Sequence, residues 1–205
     1  MGEWKQTTLG EVLEFKRGYD LPHSARGEGN VPIVSSSGVT GYHNVVKVNQ
    51  PGIVIGRYGT LGRVFYIDVP FWPLNTTLYV KNFKGNDPRF VEYFLRSLDF
   101  SSYSDKAAVP GLNRNHLHLT KVRFPENAAH QRYLASILSA LDDKIDLNRR
   151  MNETLEAMAR AIFKDWFVDF GPTRAKAEGR EPYLAPEIWN LFPNTLDADG
   201  KPQGW

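Results

Sequence analysis

The chain has 205 residues, 41% of them hydrophobic and 23% charged, with 25 Lys+Arg against 23 Asp+Glu and no cysteine. That length suits one ordinary domain with extra chain or two small domains, and the composition excludes a disordered or fibrous chain. With no cysteine, a disulfide scaffold, thiol catalysis and cysteine-ligated metal sites are excluded, while a near-neutral net charge of +2 assigns no partner by itself.

The opening Met1-Gly2-Glu3-Trp4-Lys5-Gln6 lacks an apolar leader, and no run of about 18 apolar residues follows it, so a cytoplasmic protein with no membrane partner is expected. Residues 1–125 are the basic part, with 15 Lys+Arg against 10 Asp+Glu, and residues 126–205 are acidic, with 10 against 13.

Within residues 1–125, β-branched and aromatic residues predict short strands at Val31–Val34, Asn44–Val48, Ile53–Ile55, Arg63–Ile67 and Leu78–Lys81, separated by Gly, Pro, Asn and Ser clusters. One helix is predicted over Pro88–Leu98, where Phe90, Val91, Phe94, Leu95 and Leu98 share a face and Pro88 sits in the first turn. The fold class is therefore α+β, a mixed sheet and helix domain at its start.

Residues 126–170 differ in kind. Pro125 closes a strand, Asn127 is a helix cap, and no Gly or Pro recurs before Gly171-Pro172. About 40 helical residues span about 60 Å. Leu134, Leu138, Leu141, Ile145, Asn148, Met151, Leu155, Met158 and Ile162 form a near-heptad stripe, continued by Trp166, with a polar interruption at Asn148. Charges at Asp146/Arg150 and Glu156/Arg160 occupy the opposite face. So long a stripe exceeds what a 125-residue globule can cover. It predicts a dimer interface with a second long helix, against the alternative of a helix broken near Asn148 and doubled back. Residues 171–205, with Tyr183, Trp189, Leu191 and Phe192 as apolar anchors, read as an extended strap.

Chemistry concentrates in the loops of residues 1–125. Gly56-Arg57-Tyr58-Gly59-Thr60-Leu61-Gly62-Arg63 lies between two strands. Its G-x-x-G-x-x-G spacing and following strand do not suit the dinucleotide fingerprint, and no P-loop Lys-Ser/Thr is present. A loop facing DNA, a nucleotide cradle and a plain hairpin turn all stay open. Polar loops at Lys16-Arg17-Gly18-Tyr19, Ser35–Asn44, Asn75-Thr76-Thr77 and Asn113-Arg114-Asn115-His116 supply the donors and acceptors that base edges and phosphates need. Catalytic signatures are missing. His116 and His118 are the only close histidine pair, and there is no H-E-x-x-H, no G-x-S-x-G and no Asn-Pro-Pro-Tyr-type tetrapeptide.

The order of these motifs resembles one half of the specificity subunit of a type I restriction–modification enzyme. Trp4-x-x-x-x-Leu9-Gly10-Glu11 resembles the start of a target recognition domain. Gly56–Val64 and Phe71–Thr77 resemble its central region, and Val109-Pro110-Gly111-Leu112-Asn113 through Phe124-Pro125 its close. Ala128–Phe167 is similar to the conserved long helix, and Asp169–Ala175 with Pro182–Trp189 to the strap that follows. Family members carry two recognition domains, so the chain is expected to be a natural half-subunit or a truncation.

The resemblance implies three parts: residues 1–125 a recognition domain, 126–170 a coiled-coil spacer helix, and 171–205 a conserved strap. It implies a non-catalytic subunit with no metal and no cofactor, S-adenosylmethionine being expected on a partner modification subunit. Its implied partners are double-stranded DNA, modification and restriction subunits, and a second half-subunit, as a homodimer or with another chain. Base reading is then expected from Arg57, Tyr58, Arg63, Asn75, Thr76, Asn113, Arg114 and His116, and further contacts from Lys16, Arg17, Ser36, Tyr42 and His43. Lys and Arg along residues 16–63 and 106–123 should add a salt-dependent phosphate contribution. Competing readings are a nucleotide-binding enzyme using the Gly56–Arg63 loop and an assembly scaffold that does not touch DNA.

Overall fold

A computed structural model describes residues 3–49, 51–100 and 111–204. Gly2, Lys106, Val109, Pro110 and Trp205, which carry parts of the expectations above, lie outside the described residues. Two compact units form, Met1–Ala140 and Leu141–Trp205.

The first unit is built on three small sheets. β1 (Trp4–Thr8) pairs antiparallel with β9 (Lys121–Pro125), so the two ends of the unit close on each other. β2 (Glu14–Arg17), β8 (Thr77–Asn82), β5 (Gly52–Gly56) and β6 (Val64–Ile67) make a four-stranded antiparallel sheet in that order. β3 (Val31–Ser35) lies between β4 (Gly38–His43) on its antiparallel side and the two-residue β7 (Trp72–Pro73) on its parallel side. The expected strands at 31–34, 53–55, 63–67 and 78–81 are all present to within a residue or two.

The expected strand at Asn44–Val48 is not. The chain bends there and meets the sheet through one bridge, Val48 to Phe71, leaving Val45 and Val46 exposed. β-branched residues favour a strand only where a neighbour offers its hydrogen bonds, and β3 already has a partner on both sides. The strand is instead β4, whose Gly38 and Gly41 disguise it as a loop.

Between the sheets lie α1 (Leu9–Val12), α2 (Pro88–Arg96) and α3 (Arg114–Leu119). α2 begins where Asp87 accepts from the Phe90 amide at 2.9 Å and Pro88 fills a position that needs no N–H. Its face of Phe90, Val91 and Leu95 joins Phe15, Ile53, Ile55, Leu78, Leu117 and Phe124 in the main core. Phe124 meets Phe90 and Phe94 edge-on. Glu92 is buried on α2 and held by Arg89 at 3.1 Å and Arg96 at 2.7 Å, which compensates its desolvation.

The long helix α4 runs over Ala128–Phe163, 36 residues. Asn127 caps it as expected, its Oδ1 accepting from Ala129 and His130. The first two turns belong to the globule. Gln131 is fully buried; its Oε1 accepts from the Asp87 amide at 2.8 Å, and its Nε2 donates to Asn86 Oδ1 and the Pro125 carbonyl at 2.7 Å each. Ala135 is buried and Leu134 packs against the same core. Leu134, at the head of the expected stripe, is thus partly covered by its own globule.

The helix continues without a break through Asn148, so the doubled-back alternative is overturned. From Leu138 onward the stripe is exposed: Leu141 and Leu155 each keep 55% of their surface, and Ile145, Met151, Met158 and Ile162 similar shares.

In the second unit the helix widens into a π-helical turn at Lys164–Val168 and stops at Phe170, which takes a left-handed φ of 54°. The strap is not extended throughout, since it contains α5 (Gly171–Ala177) and α6 (Pro186–Trp189). Its aromatic anchors turn back onto the helix end. Phe192 meets Trp166 edge-on, Tyr183 meets Trp189, and the Tyr183 hydroxyl donates to Asp165 at 2.9 Å. Among the described residues no helix is long and apolar enough to cross a membrane.

Candidate nucleic-acid interface

The β5–β6 connection, Gly56–Arg63, turns on Gly59 and Gly62, whose φ values of 77° and 70° an L side chain rarely adopts. Five of its amides are bonded within the protein. Arg57 and Tyr58 donate to the Thr76 carbonyl, Leu61 to Gly59, Gly62 to Gly56, and Gly56 to Arg63. A phosphate cradle needs free amides aimed outward at a helix start. The loop instead joins two antiparallel strands with most of its amides turned inward, which does not favour its reading as a nucleotide site.

The same bonds place the Arg57 and Tyr58 side chains beside the Gly111–Asn115 segment. The Leu112 amide donates to the Arg57 carbonyl at 3.0 Å, and Arg57 Nε returns a bond to the Leu112 carbonyl at 3.3 Å. The Arg57 guanidinium lies 4.3 Å from the Tyr58 ring centre. The Tyr58 ring occupies the space above Gly111, where a β-carbon would come within 2.3 Å of it. Asn113 then caps α3 through a bond from the Asn115 amide at 2.9 Å, setting Arg114 at the first turn.

The result is an open cleft of about 450 Å³ whose walls bring together Arg17, Arg57, Tyr58, Asn113, Arg114 and Asn115. Among the described residues three arginines and no carboxylate line it. Donors of that kind suit phosphate oxygens and the acceptor-rich edge of guanine.

Five of the thirteen expected contact residues thus converge: Arg17, Arg57, Tyr58, Asn113 and Arg114. Thr76 supports them through its carbonyl. Asn75 beside it donates its side-chain amide to Asp20, which also stands 3.9 Å from Arg17. Arg63 is exposed, with its guanidinium over Phe65, and Tyr42 is 60% exposed on β4; neither lines the cleft. Ser36 is half-buried and His116 exposed, also outside the lining. Lys16 lies elsewhere, its ammonium donating to the Tyr19 hydroxyl at 3.3 Å.

Tyr19 shares a hydrogen bond with Tyr79 at 3.1 Å; that bond, with Lys16 and Lys47 nearby, holds the Tyr19 hydroxyl below its ordinary pKa, while burial pushes Tyr79 up.

His43 is corrected. It is buried, its Nδ1 accepts from the Gly27 amide at 3.0 Å, and its ring stands edge-on to Trp72 at 5.0 Å. It cannot reach a ligand without dismantling β4. Sequence reasoning also missed His118, whose Nε2 accepts from the Phe15 amide at 3.0 Å, and the cleft's backbone partners Gly111 and Leu112. Burial, aided by Arg114 and Lys84, holds His118 below its ordinary pKa and so in the neutral form that can accept. The i, i+2 histidine spacing signalled nothing, because the pair lies on a helix and points to different surroundings.

Residues 1–157 match the family model described as the type I restriction modification DNA specificity domain. The chain belongs to that family. This specificity-domain chain is 37% identical over 97 residues to the HindI specificity subunit of Haemophilus influenzae, a match covering 44% of the chain and 21% of that protein. It is 29% identical over 240 aligned positions to the MjaIX specificity subunit of Methanocaldococcus jannaschii, covering 99% of the chain and 52% of that protein. The chain therefore spans about half the length of the longer match. Its fold is shared with the crystal structure of a type I restriction–modification S subunit from M. genitalium, with a TM-score of 0.61 at 18% identity, over 93% of this chain and 49% of that one. The shared elements are those of an α+β specificity domain with mixed sheets and one long helix.

Proposed function

We propose that this chain reads one half of a bipartite DNA target for a type I restriction–modification complex. The carrying observation is a cleft lined, among the described residues, by three arginines and no acid, in a chain whose residues 1–157 match a DNA specificity domain. The first unit makes the contacts. α4 pairs through Leu138, Leu141, Ile145, Asn148, Met151, Leu155, Met158 and Ile162 with the helix of a second half, either another copy or a different half-subunit. A rigid helix of about 54 Å fixes the separation of two reading heads, and two identical heads related by a two-fold axis read an inverted repeat.

The chain supplies specificity and no chemistry of its own. Methylation, with S-adenosylmethionine bound on modification subunits, and cleavage by restriction subunits belong to its partners in the cytoplasm.

The test is methylation mapping of DNA exposed to the full chain reconstituted with its modification subunit. Methyl groups confined to one bipartite motif are the expected result. Methylation without a motif, or none above that of the modification subunit alone, overturns the proposal.

A further inference from the structure

The three arginines of the cleft are held very differently. Arg17 is exposed and stands 3.9 Å from Asp20. Arg114 is exposed at the first turn of α3 and has no ion pair among the described residues. Arg57 is half-buried, its Nε committed to the Leu112 carbonyl and its plane laid against Tyr58. Tyr58 in turn is seated on Gly111, where no other residue leaves room for its ring. Among the described residues the two terminal nitrogens of Arg57 have no hydrogen-bond partner. We infer that Arg57 is the guanine reader of this half-site and that Arg17 and Arg114 bind phosphate, a step that rests on the DNA-recognition reading above.

The chemistry follows from which edge is left. With Nε occupied, the guanidinium presents its end-on edge, two parallel N–H groups in one fixed plane. Guanine offers two acceptors there, O6 and N7. Adenine opposes the second N–H with its own amino group, cytosine presents a donor, and thymine gives one acceptor beside a methyl group. A fork left partly unpaired by the wrong base forfeits a hydrogen bond that guanine supplies. Fixing the plane before binding removes the rotamer cost of a bidentate contact. A phosphate needs no such fixing, since its oxygens accept from many directions, and exposed, mobile arginines serve it well.

The experiment is selection of bound duplexes from a randomised pool by the full chain with its modification subunit, comparing wild type, Arg57→Lys, Arg57→Ala and Arg114→Ala. The wild type should select a motif holding one guanine that both Arg57 variants lose, with a roughly ten- to hundredfold fall in preference at that position only. Arg57→Lys keeps the charge, so its loss of guanine preference separates base reading from phosphate binding. Arg114→Ala should keep the motif and weaken all sequences alike, with the salt slope reduced by about 1. Replacing that guanine by 7-deazaguanine removes N7 without touching the protein, and should weaken wild type while leaving Arg57→Ala unaffected. An unchanged motif with uniform weakening in Arg57→Lys and Arg57→Ala, or indifference of wild type to 7-deazaguanine at every guanine of the motif, overturns the inference while the DNA-recognition reading stands. A wild type that selects no motif overturns both.

Discussion

Along α4, the first two turns and the six that follow Ala140 carry the same apolar rhythm and have opposite surroundings. Gln131 and Ala135 are buried in the first unit, with Leu134 packed beside them. Leu141, Ile145, Met151 and Leu155 keep about half their surface. A stripe at helical spacing thus records that a face is to be covered and says nothing of what covers it. The deciding difference is polar: Gln131, with three hydrogen bonds, ties its turn to the strand end at Pro125 and the start of α2, and among the described residues no side chain of the stripe beyond Leu138 is tied in that way.

The sharpest way to break this contrast is to charge the open stripe. Leu141→Asp with Ile145→Asp should weaken self-association by about 100-fold or more in sedimentation equilibrium, and leave the unfolding of the first unit within about 0.5 kcal/mol of wild type. A dimer of unchanged affinity would sink the pairing of α4. Next in size is Gln131→Ala. It strands the Asp87 amide, the Asn86 side-chain oxygen and the Pro125 carbonyl, and should cost about 2–4 kcal/mol in urea denaturation of the full chain; a loss under about 1 kcal/mol would mean that Gln131 is no anchor.

A smaller effect is expected from pH. His118 has its folded-state pKa below the ordinary 6.5, so the unfolded chain takes up a proton before the folded one does. Its contribution is complete above pH 6.5 and is lost as pH falls from there through the folded-state value, when protonation removes the acceptor for the Phe15 amide. Wild type should lose stability between pH 7.5 and 5.5 by more than His118→Gln does, and parallel pH curves for the two would refute the linkage. The smallest effect belongs to the exposed pair Arg160–Glu156 at 3.3 Å. Arg160→Ala should shift unfolding by less than about 0.5 kcal/mol.

What the sequence disclosed about these regions follows the range of each interaction. Local signals were legible: Pro88 after Asp87, Asn127 before Ala128, the β-branched and aromatic runs of β5 and β8, and the unbroken run through Asn148. Signals that need a distant partner were not. β1 is Trp-Lys-Gln-Thr-Thr, polar at four of five positions, and becomes a strand because β9 lies beside it in register, Trp4 against Pro125, 121 positions later. Asn44–Val48 had the composition of a strand and no free edge to join. Residue type picked out Arg17, Arg57, Tyr58, Asn113 and Arg114, which line one cleft. It failed at His43, a donor-rich residue absorbed by the packing of Trp72. It also passed over Leu112, which takes part only through its backbone, where side-chain identity is silent.

The reciprocal bonds between Arg57 and Leu112 join stretches 55 positions apart into one reading surface. Transplanting the hairpin loop alone onto a relative would import the guanidinium without the carbonyl and the bare backbone that hold it level. A laboratory exchange of target choice should therefore move Gly56–Arg63 and Gly111–Arg114 at once.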